Sequence, residues 1–258
     1  MESAEYHHYL DLLQWQIELG ALEAISDTSV DRYDVPAALQ KPKVAKPAAA
    51  AMLSTPPAAV DAVAEAERAA AAAGTLDELR AAMAAYDQCD LKKGARNMVF
   101  SDGIPGARVM VVGEAPGRDE DREGKPFVGR AGQLLDKMLA AIDMGRAHAD
   151  APVYITNILP WRPPQNRDPK PEEIAMMKPF LLRHIALAQP EVLVIVGNWS
   201  CQALLGKRGI TRLRGTWTQA AGLPALPMFH PAYLLRSPEF KREAWADLLS
   251  LKAKLQNG

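Results

Sequence analysis

The sequence lacks several features that would assign it to particular classes of protein. It has only two cysteines among 258 residues, Cys89 and Cys201, too few for a disulfide framework or a cysteine-rich metal site. No apolar run approaches about 20 residues, the length that a membrane span needs. The N-terminal stretch MESAEYHHYLDLL has neither the basic start nor the apolar core of a secretory signal. We therefore expect a cytoplasmic protein in a reducing environment, with no membrane span.

Familiar catalytic motifs are missing as well. The glycine-rich stretch 113–135 lacks the Gly-Lys-Ser/Thr ending of a phosphate-binding loop. No Gly-x-Ser-x-Gly serine is present. These absences exclude the usual nucleotide-hydrolysing and serine-hydrolase chemistries.

The charges are unevenly distributed, although the formal net charge is only −1. Residues 1–88 carry 6 basic and 14 acidic side chains, which leaves 24 basic and 17 acidic ones to residues 89–258. A basic body with an acidic arm is the asymmetry expected of a body that binds a polyanion.

The composition divides the chain into three parts. Residues 1–30 have the apolar spacing of one amphipathic helix, which predicts docking on the body or on a partner protein. Residues 31–60 are rich in Ala and Pro and predict an extended linker. Residues 61–258 form the predicted α/β domain, and its leading helices occupy residues 61–86.

Within the body, four short apolar runs alternate with helical patterns at 132–143, 171–188 and 199–206. This alternation predicts βαβ units and a parallel sheet. Right-handed crossovers place the ends of all such strands on one edge, so the polar residues that follow them should form one site. The runs are Val109–Val112, Val153–Ile155, Val192–Val196 and Leu226–Phe229.

The residues at these strand ends suit a planar heterocycle. Phe127, in the first loop, offers a stacking face, and the Asn157 amide offers a donor and an acceptor side by side. His230 can donate a hydrogen bond to an oxygen that gains charge. Each residue also has a structural interpretation. Glu114, Asn157 and His230 could be ordinary loop or turn residues. For Asn198 the structural interpretation, N-cap of the helix at 199–206, is favoured over a functional one.

Three motifs make the resemblance specific. The first is GEAPG with PFVGRAG (residues 113–117 and 126–132), the second is VYITN with RPP (153–157 and 162–164), and the third is HPAYLLR (230–236). Together they resemble the signatures of the family 4 uracil-DNA glycosylases, in order and spacing, over residues 85–255. The N-terminal 75 residues lie outside the resemblance.

The resemblance implies a fold and a reaction. The fold would be a three-layer α/β/α sandwich around a central four-stranded parallel sheet. The reaction would be hydrolysis of the N-glycosidic bond of deoxyuridine in DNA, after the uracil is flipped out of the helix. Phe127 would stack on the base, Asn157 would read its edge, and His230 would stabilise the departing anion. Ala115 and Gly117 complete the predicted substrate-binding set.

The residue that positions the attacking water is less evident. Family 1 relatives carry an Asp where this chain has Ala115. Glu114 and Glu120 are therefore the acidic candidates, and a solvated loop charge is the alternative for Glu120.

Contacts with DNA are predicted for basic and apolar side chains near the motifs. Arg162, Arg167 and Arg236 are candidate phosphate contacts. Leu234 or Leu235 would fill the space that the flipped base leaves. Core packing of a short helix is the alternative for these two leucines.

The chain departs from the family where a [4Fe–4S] cluster would bind. Of the four cysteine positions only Cys89 is retained; Tyr86 and Trp161 occupy two others, and Met176 and Met177 the region of the fourth. One thiolate cannot hold a cluster. We therefore predict no iron–sulfur cluster and no other metal or cofactor, with apolar packing in that volume.

The expected protein is a monomeric, monofunctional glycosylase that acts on uracil-containing DNA. The alternative from another class is a non-catalytic DNA- or uracil-binding module that is tethered to a repair or replication partner. A related family forms a covalent bond to abasic DNA through a histidine in an inserted basic loop. No such insert follows Gly132 here, so turnover and not covalent trapping is expected.

Overall fold

The structure is a computed structural model that describes Tyr9 and residues 61–256. Apart from Tyr9, the predicted helix at 1–30 and linker at 31–60 lie outside the described residues. The helices of the described part are α1 (Ala62–Ala72), α2 (Leu76–Ala85), α3 (Leu91–Gly94), α4 (Arg118–Glu123), α5 (Arg130–Ala140), α6 (Pro171–Ala188), α7 (Asn198–Leu205), α8 (Ile210–Leu213), α9 (Pro231–Arg236) and α10 (Lys241–Gln256). Its strands are β1 (Asp102–Gly103), β2 (Val109–Gly113), β3 (Val153–Asn157), β4 (Val192–Val196), β5 (Thr218–Ala220) and β6 (Leu223–Met228).

All six strands form one sheet in the order β1-β3-β2-β4-β6-β5. The central four, β3, β2, β4 and β6, are parallel to one another. This confirms the predicted four-stranded parallel sheet. Two short strands, β1 and β5, add antiparallel edges to it.

Both faces of the sheet are buried. Along β2, Val109 and Val111 pack into one core, while Met110 and Val112 pack into the other. A parallel sheet covered on both faces produces a continuous apolar run of this kind instead of an alternating one.

Helices form the two outer layers. The core that contains Met110 and Val112 also includes Leu79 of α2 and Phe180 of α6. The core that contains Val109 and Val111 also includes Leu139 of α5 and Leu251 of α10. The three-layer α/β/α sandwich is therefore confirmed.

Local sequence signals set the helix ends. The Thr75 hydroxyl accepts a hydrogen bond from the Glu78 amide at 3.2 Å, which caps α2 as predicted. Pro171 occupies the first turn of α6, where its missing N–H needs no partner. The predicted helix at 171–188 coincides with α6.

Strand register sets the site. Gly113, the last residue of β2, is level with Asn157, the last residue of β3. On the other side of β2, Val196 of β4 is level with Met228 of β6. The loops that follow these strands therefore leave the same edge of the sheet. No helix in the described part of the chain is long and apolar enough to cross a membrane.

Candidate active site

A cavity of about 640 Å³ lies at the carboxyl edge of the parallel sheet. This volume lies in the range of ligand sites, which are favoured at such edges. Residues from the loops after all four parallel strands line it, as the sequence predicted. They include Glu114, Ala115, Gly117, Glu120, Phe127, Asn157, Asn198 and His230.

Phe127 provides the aromatic wall of the cavity. Its ring lies 5.5 Å from the His230 ring, centroid to centroid, with the two planes 29° apart. Its backbone has φ +55°, in the left-handed region that residues other than glycine rarely adopt. Two glycines make room for it: a Cβ on Gly113 would lie 2.5 Å from the ring, and one on Gly132 1.6 Å from the Phe127 carbonyl oxygen.

Glu120 closes the loop that carries Phe127. One carboxylate oxygen accepts from the Gly117 amide at 3.1 Å, and the other accepts from the Gly129 amide at 2.9 Å. The carboxylate thus ties the two ends of the loop segment together. This loop-closing contact was not among the roles weighed from the sequence, and Glu120 also lines the cavity.

Asn157 brings an unsatisfied acceptor to the cavity. The residue is 6% exposed, and its Oδ1 is one of two buried side-chain polar atoms in the described residues without a hydrogen-bond partner. A buried acceptor without a partner costs about 1–3 kcal/mol. The amide is therefore set to accept a hydrogen bond from a bound ligand.

His230 is held as a neutral donor. Its Nδ1 accepts from the Ala232 amide at 3.1 Å, so the proton of the neutral ring lies on Nε2. Burial, together with the charge of Arg236, lowers the pKa of His230 to about 4. At neutral pH the ring is therefore uncharged and has an N–H to donate.

Glu114 is an acidic residue of the cavity whose pKa is raised well above its ordinary value. Burial raises its pKa to about 7, the nearby Asp168 adds to the rise, and Arg208 opposes it. A carboxyl group with a pKa near the working pH can serve as a general base.

A basic and aromatic wall was not predicted from the sequence. The Arg208 guanidinium lies over the Trp199 ring, 3.9 Å from its centroid, and both residues line the cavity.

Asn198 Oδ1 accepts from the amides of Gly209 and Ile210 at 3.0 and 2.9 Å. The expected role of Asn198 is corrected accordingly, because it caps α8 and not the helix it begins.

The predicted phosphate-contacting arginines have different surroundings. Arg167 forms a two-pronged ion pair with Glu173, whose side chain is 8% exposed. Arg162 donates to Asn166 Oδ1 at 2.7 Å. Arg236 lines the cavity, and within residues 61–256 neither it nor Arg208 has an ion-pair partner.

The two candidate wedge leucines of α9 differ in exposure. Leu234 is 1% exposed and packs in the core, so it is not available at the surface. Leu235 is 37% exposed. The structural alternative therefore describes Leu234, because α9 turns that side chain inward.

The region of the missing cluster cysteines is a packed core. Tyr86, Cys89, Trp161 and Met177, here called the Trp161 patch, are each at most 3% exposed. The Tyr86 hydroxyl donates to the carbonyl of Ala62 at 2.7 Å. Burial raises the pKa of the Cys89 thiol. Residues 61–256 contain no group of three or more His, Cys, Asp or Glu side chains placed to hold a metal ion.

Comparison with known proteins agrees with this geometry. Residues 100–249 match the family model of the uracil DNA glycosylase superfamily. The type-4 uracil-DNA glycosylase of Archaeoglobus fulgidus is 38% identical over 184 residues, which are 67% of this chain and 89% of that protein. The type-4 enzyme of Thermotoga maritima is 40% identical over 172 residues, 64% of this chain and 86% of its own length. The chain therefore belongs to the uracil-DNA glycosylase superfamily.

Proposed function

We propose that this protein is a DNA repair glycosylase that flips uracil out of DNA and hydrolyses its N-glycosidic bond, leaving an abasic site. The observation that carries the proposal is the meeting of Phe127, Asn157 and His230 in one cavity. A base must leave the stack before such a bond can be cut, and these three side chains provide a receptor for it.

Base recognition is assigned to Phe127 and Asn157. The Phe127 ring stacks on the flipped uracil. The unpartnered Oδ1 of Asn157 accepts from the uracil N3–H, and its amide group donates to the adjacent carbonyl oxygen. Ala115 and Gly117 complete the wall through their backbone.

His230 acts on the leaving group. As the bond to the sugar lengthens, the base takes up negative charge and the sugar becomes positive. The Nε2–H of the neutral ring donates to the carbonyl oxygen where this charge collects. A donor placed in this way is commonly worth about 3–4 kcal/mol in the transition state.

Glu114 is assigned to the attacking water. Its ionised carboxylate accepts a hydrogen bond from the water and takes its proton as the new C–O bond forms. Glu114 is preferred to Glu120 for this step because its raised pKa suits a general base, whereas Glu120 holds two loop amides. Glu120 instead shapes the loop that presents Phe127.

The DNA strand is assigned to the cavity rim. Arg208 and Arg236 supply the phosphate contacts, because both line the cavity and neither has an ion-pair partner among the described residues. Arg162 and Arg167 are weaker candidates, because their side chains are engaged with Asn166 and Glu173. Leu235, and not Leu234, is proposed to enter the space left by the base.

The proposal is tested with a labelled oligonucleotide that contains a single deoxyuridine. Incubation without added metal should release free uracil and leave an alkali-sensitive site. Matched strands with hypoxanthine, xanthine or thymine define the range of bases. No release of uracil from either single-stranded or paired DNA would defeat the proposal.

We further propose that the protein works without an iron–sulfur cluster. The donor set does not fit one, because Cys89 is the only thiol in the Trp161 patch and the other positions hold Tyr86, Trp161 and Met177. Their burial supports close packing of the Trp161 patch. So does the edge-on contact of the Tyr86 and Phe180 rings, whose centroids are 5.3 Å apart. Anaerobic purification that yields stoichiometric iron and a band near 400 nm would contradict this.

The remaining predictions concern the whole chain. We propose the domain bounds 1–30, 31–60 and 61–258, a monomer in the cytoplasm, and a protein partner for residues 1–30. Deletion of residues 1–60 should keep uracil release and abolish capture of the partner. Loss of activity with the deletion would show that the arm belongs to the catalytic unit.

A further inference from the structure

We infer that Arg146 is a positioning residue that holds the Phe127 ring in its stacking orientation. The inference rests on the proposed function, because it assigns Arg146 a role in the base pocket. Arg146 lies in the connection between α5 and β3, away from all three sequence motifs.

Arg146 binds the backbone carbonyl groups on both sides of the Phe127 Cα, those of Pro126 and Phe127. One guanidinium nitrogen, Nη1, donates to the Pro126 carbonyl at 2.7 Å, and the other, Nη2, donates to the Phe127 carbonyl. Two adjacent carbonyl oxygens are thus fixed by one planar fork. A guanidinium is suited to this because its donors have a fixed mutual geometry.

Phe127, the residue that Arg146 binds, has a strained backbone. Phe127 has φ +55°, and residues in this region persist only where their surroundings enforce it. Gly132 leaves the space that the Phe127 carbonyl oxygen fills, since a Cβ there would lie 1.6 Å from that oxygen. The gap is therefore necessary for the conformation, and Arg146 supplies an attraction that favours it.

Arg146 is itself firmly held. Its Nη1 donates to Asp102 of β1 at 2.8 Å, and its Nε donates to Asp136 of α5 at 2.8 Å. The side chain is 16% exposed, so these ion pairs are partly shielded from water. Arg146 thereby joins the edge of the sheet and a helix of the outer layer to the loop.

Its effect must pass through Phe127, because Arg146 does not line the cavity. A role of this kind makes a specific prediction for a double-mutant cycle. Where Phe127 has already lost its ring, loss of Arg146 should matter little. A general role in folding would reduce activity in both backgrounds.

The test uses the full-length protein with Arg146→Met, Phe127→Ala and the double variant. Arg146→Met should lower kcat/KM for uracil release by about 10- to 100-fold, the scale expected when a group moves by about 1 Å. In the Phe127→Ala background the same change should cost less than about threefold. Equal losses in both backgrounds would overturn the inference.

Two further variants calibrate the result. Arg146→Lys keeps the charge but loses the fork, and it should recover part of the activity. Arg122→Met is the matched control: this arginine of α4 is exposed and pairs with Glu123 and Asp119 at the surface. Its activity should stay within about twofold of wild type. A loss in Arg122→Met as large as in Arg146→Met would contradict a specific role.

A second measurement does not depend on activity. Phe127 is 6% exposed, and chymotrypsin cleaves after phenylalanine where the backbone can open. Arg146→Met should speed cleavage after Phe127 at least several-fold relative to cleavage at other sites, while Arg122→Met should not. Unchanged cleavage would refute the inference even in a protein that releases no uracil, whereas an inactive wild type would refute only the proposed function. If Arg146→Met fails to fold, Arg146→Lys and Asp136→Asn carry both measurements.

Discussion

The base cavity and the Trp161 patch lie in the same domain and are built in opposite ways. The cavity contains an unpartnered Asn157 oxygen, a Phe127 backbone at φ +55°, and a Glu114 with its pKa raised to about 7. The patch contains buried rings and sulfur atoms, and the Tyr86 hydroxyl within it has a partner. Of these two regions, only the cavity holds a strained backbone and an unsatisfied polar atom, as expected where a ligand binds.

The comparison also separates two uses of burial. In the cavity, burial alters the charge states of Glu114 and His230. In the patch, burial stabilises the fold, in a region where the resemblance would place metal ligands. Substitutions in one region should therefore change catalysis, and those in the other should change stability.

The largest effect is expected in the patch. Trp161→Ala should lower the free energy of unfolding by about 3–5 kcal/mol, because it empties a large buried volume. Uracil release per folded molecule should stay near wild type below the melting transition. Denaturant unfolding and single-turnover assays check this. A loss of turnover in the fully folded variant would break the separation between the two regions.

The next effect is expected in the cavity. His230→Ala should lower kcat by about 10²–10³-fold, or about 3–4 kcal/mol, since it removes the donor to the leaving base. The midpoint of unfolding should move little. Gel-based cleavage and thermal denaturation of the same sample measure both. His230→Gln, which keeps a donor, is the control and should retain more activity than His230→Ala.

A third prediction concerns pH. The ionised form of Glu114 is the active one, so kcat/KM should rise as pH increases through about 7. His230, with a pKa of about 4, is already neutral there and adds nothing to this rise. Glu114→Gln should lower activity by about 10²-fold and flatten the profile between pH 6 and 8. A rise that persists in Glu114→Gln would assign the titration to another group.

The smallest effect is expected at the rim. Arg208→Gln should weaken DNA binding by less than about tenfold and reduce the salt slope of log K by about one, the amount for one lost phosphate contact. Lys207→Gln, which removes the neighbouring charge outside the cavity, is the matched control. Equal slopes for the two variants would argue against a phosphate at Arg208.

Sequence patterns predicted the parts of the molecule whose structure follows from the local order of apolar and polar residues. The four parallel strands followed from apolar runs, and the convergence of Glu114, Asn157 and His230 followed from topology. Strands β1 and β5 were missed because two or three residues are too few to carry a period.

Contacts between distant residues escaped prediction for a different reason. Arg146 binds a carbonyl 19 positions earlier, and Asn198 caps a helix that begins 12 positions later. Nothing in the local composition marks either partner. The inward turn of Leu234 depends likewise on how α9 packs, since both leucines suit a short helix equally well.

Gly113 limits how this pocket can be redesigned. A Cβ there would lie 2.3 Å from the Asn157 oxygen and 2.5 Å from the Phe127 ring, so main chain forms the floor. Even Gly113→Ala would displace both the Asn157 amide and the Phe127 ring. Position 113 is therefore unsuitable for changing base preference without loss of binding.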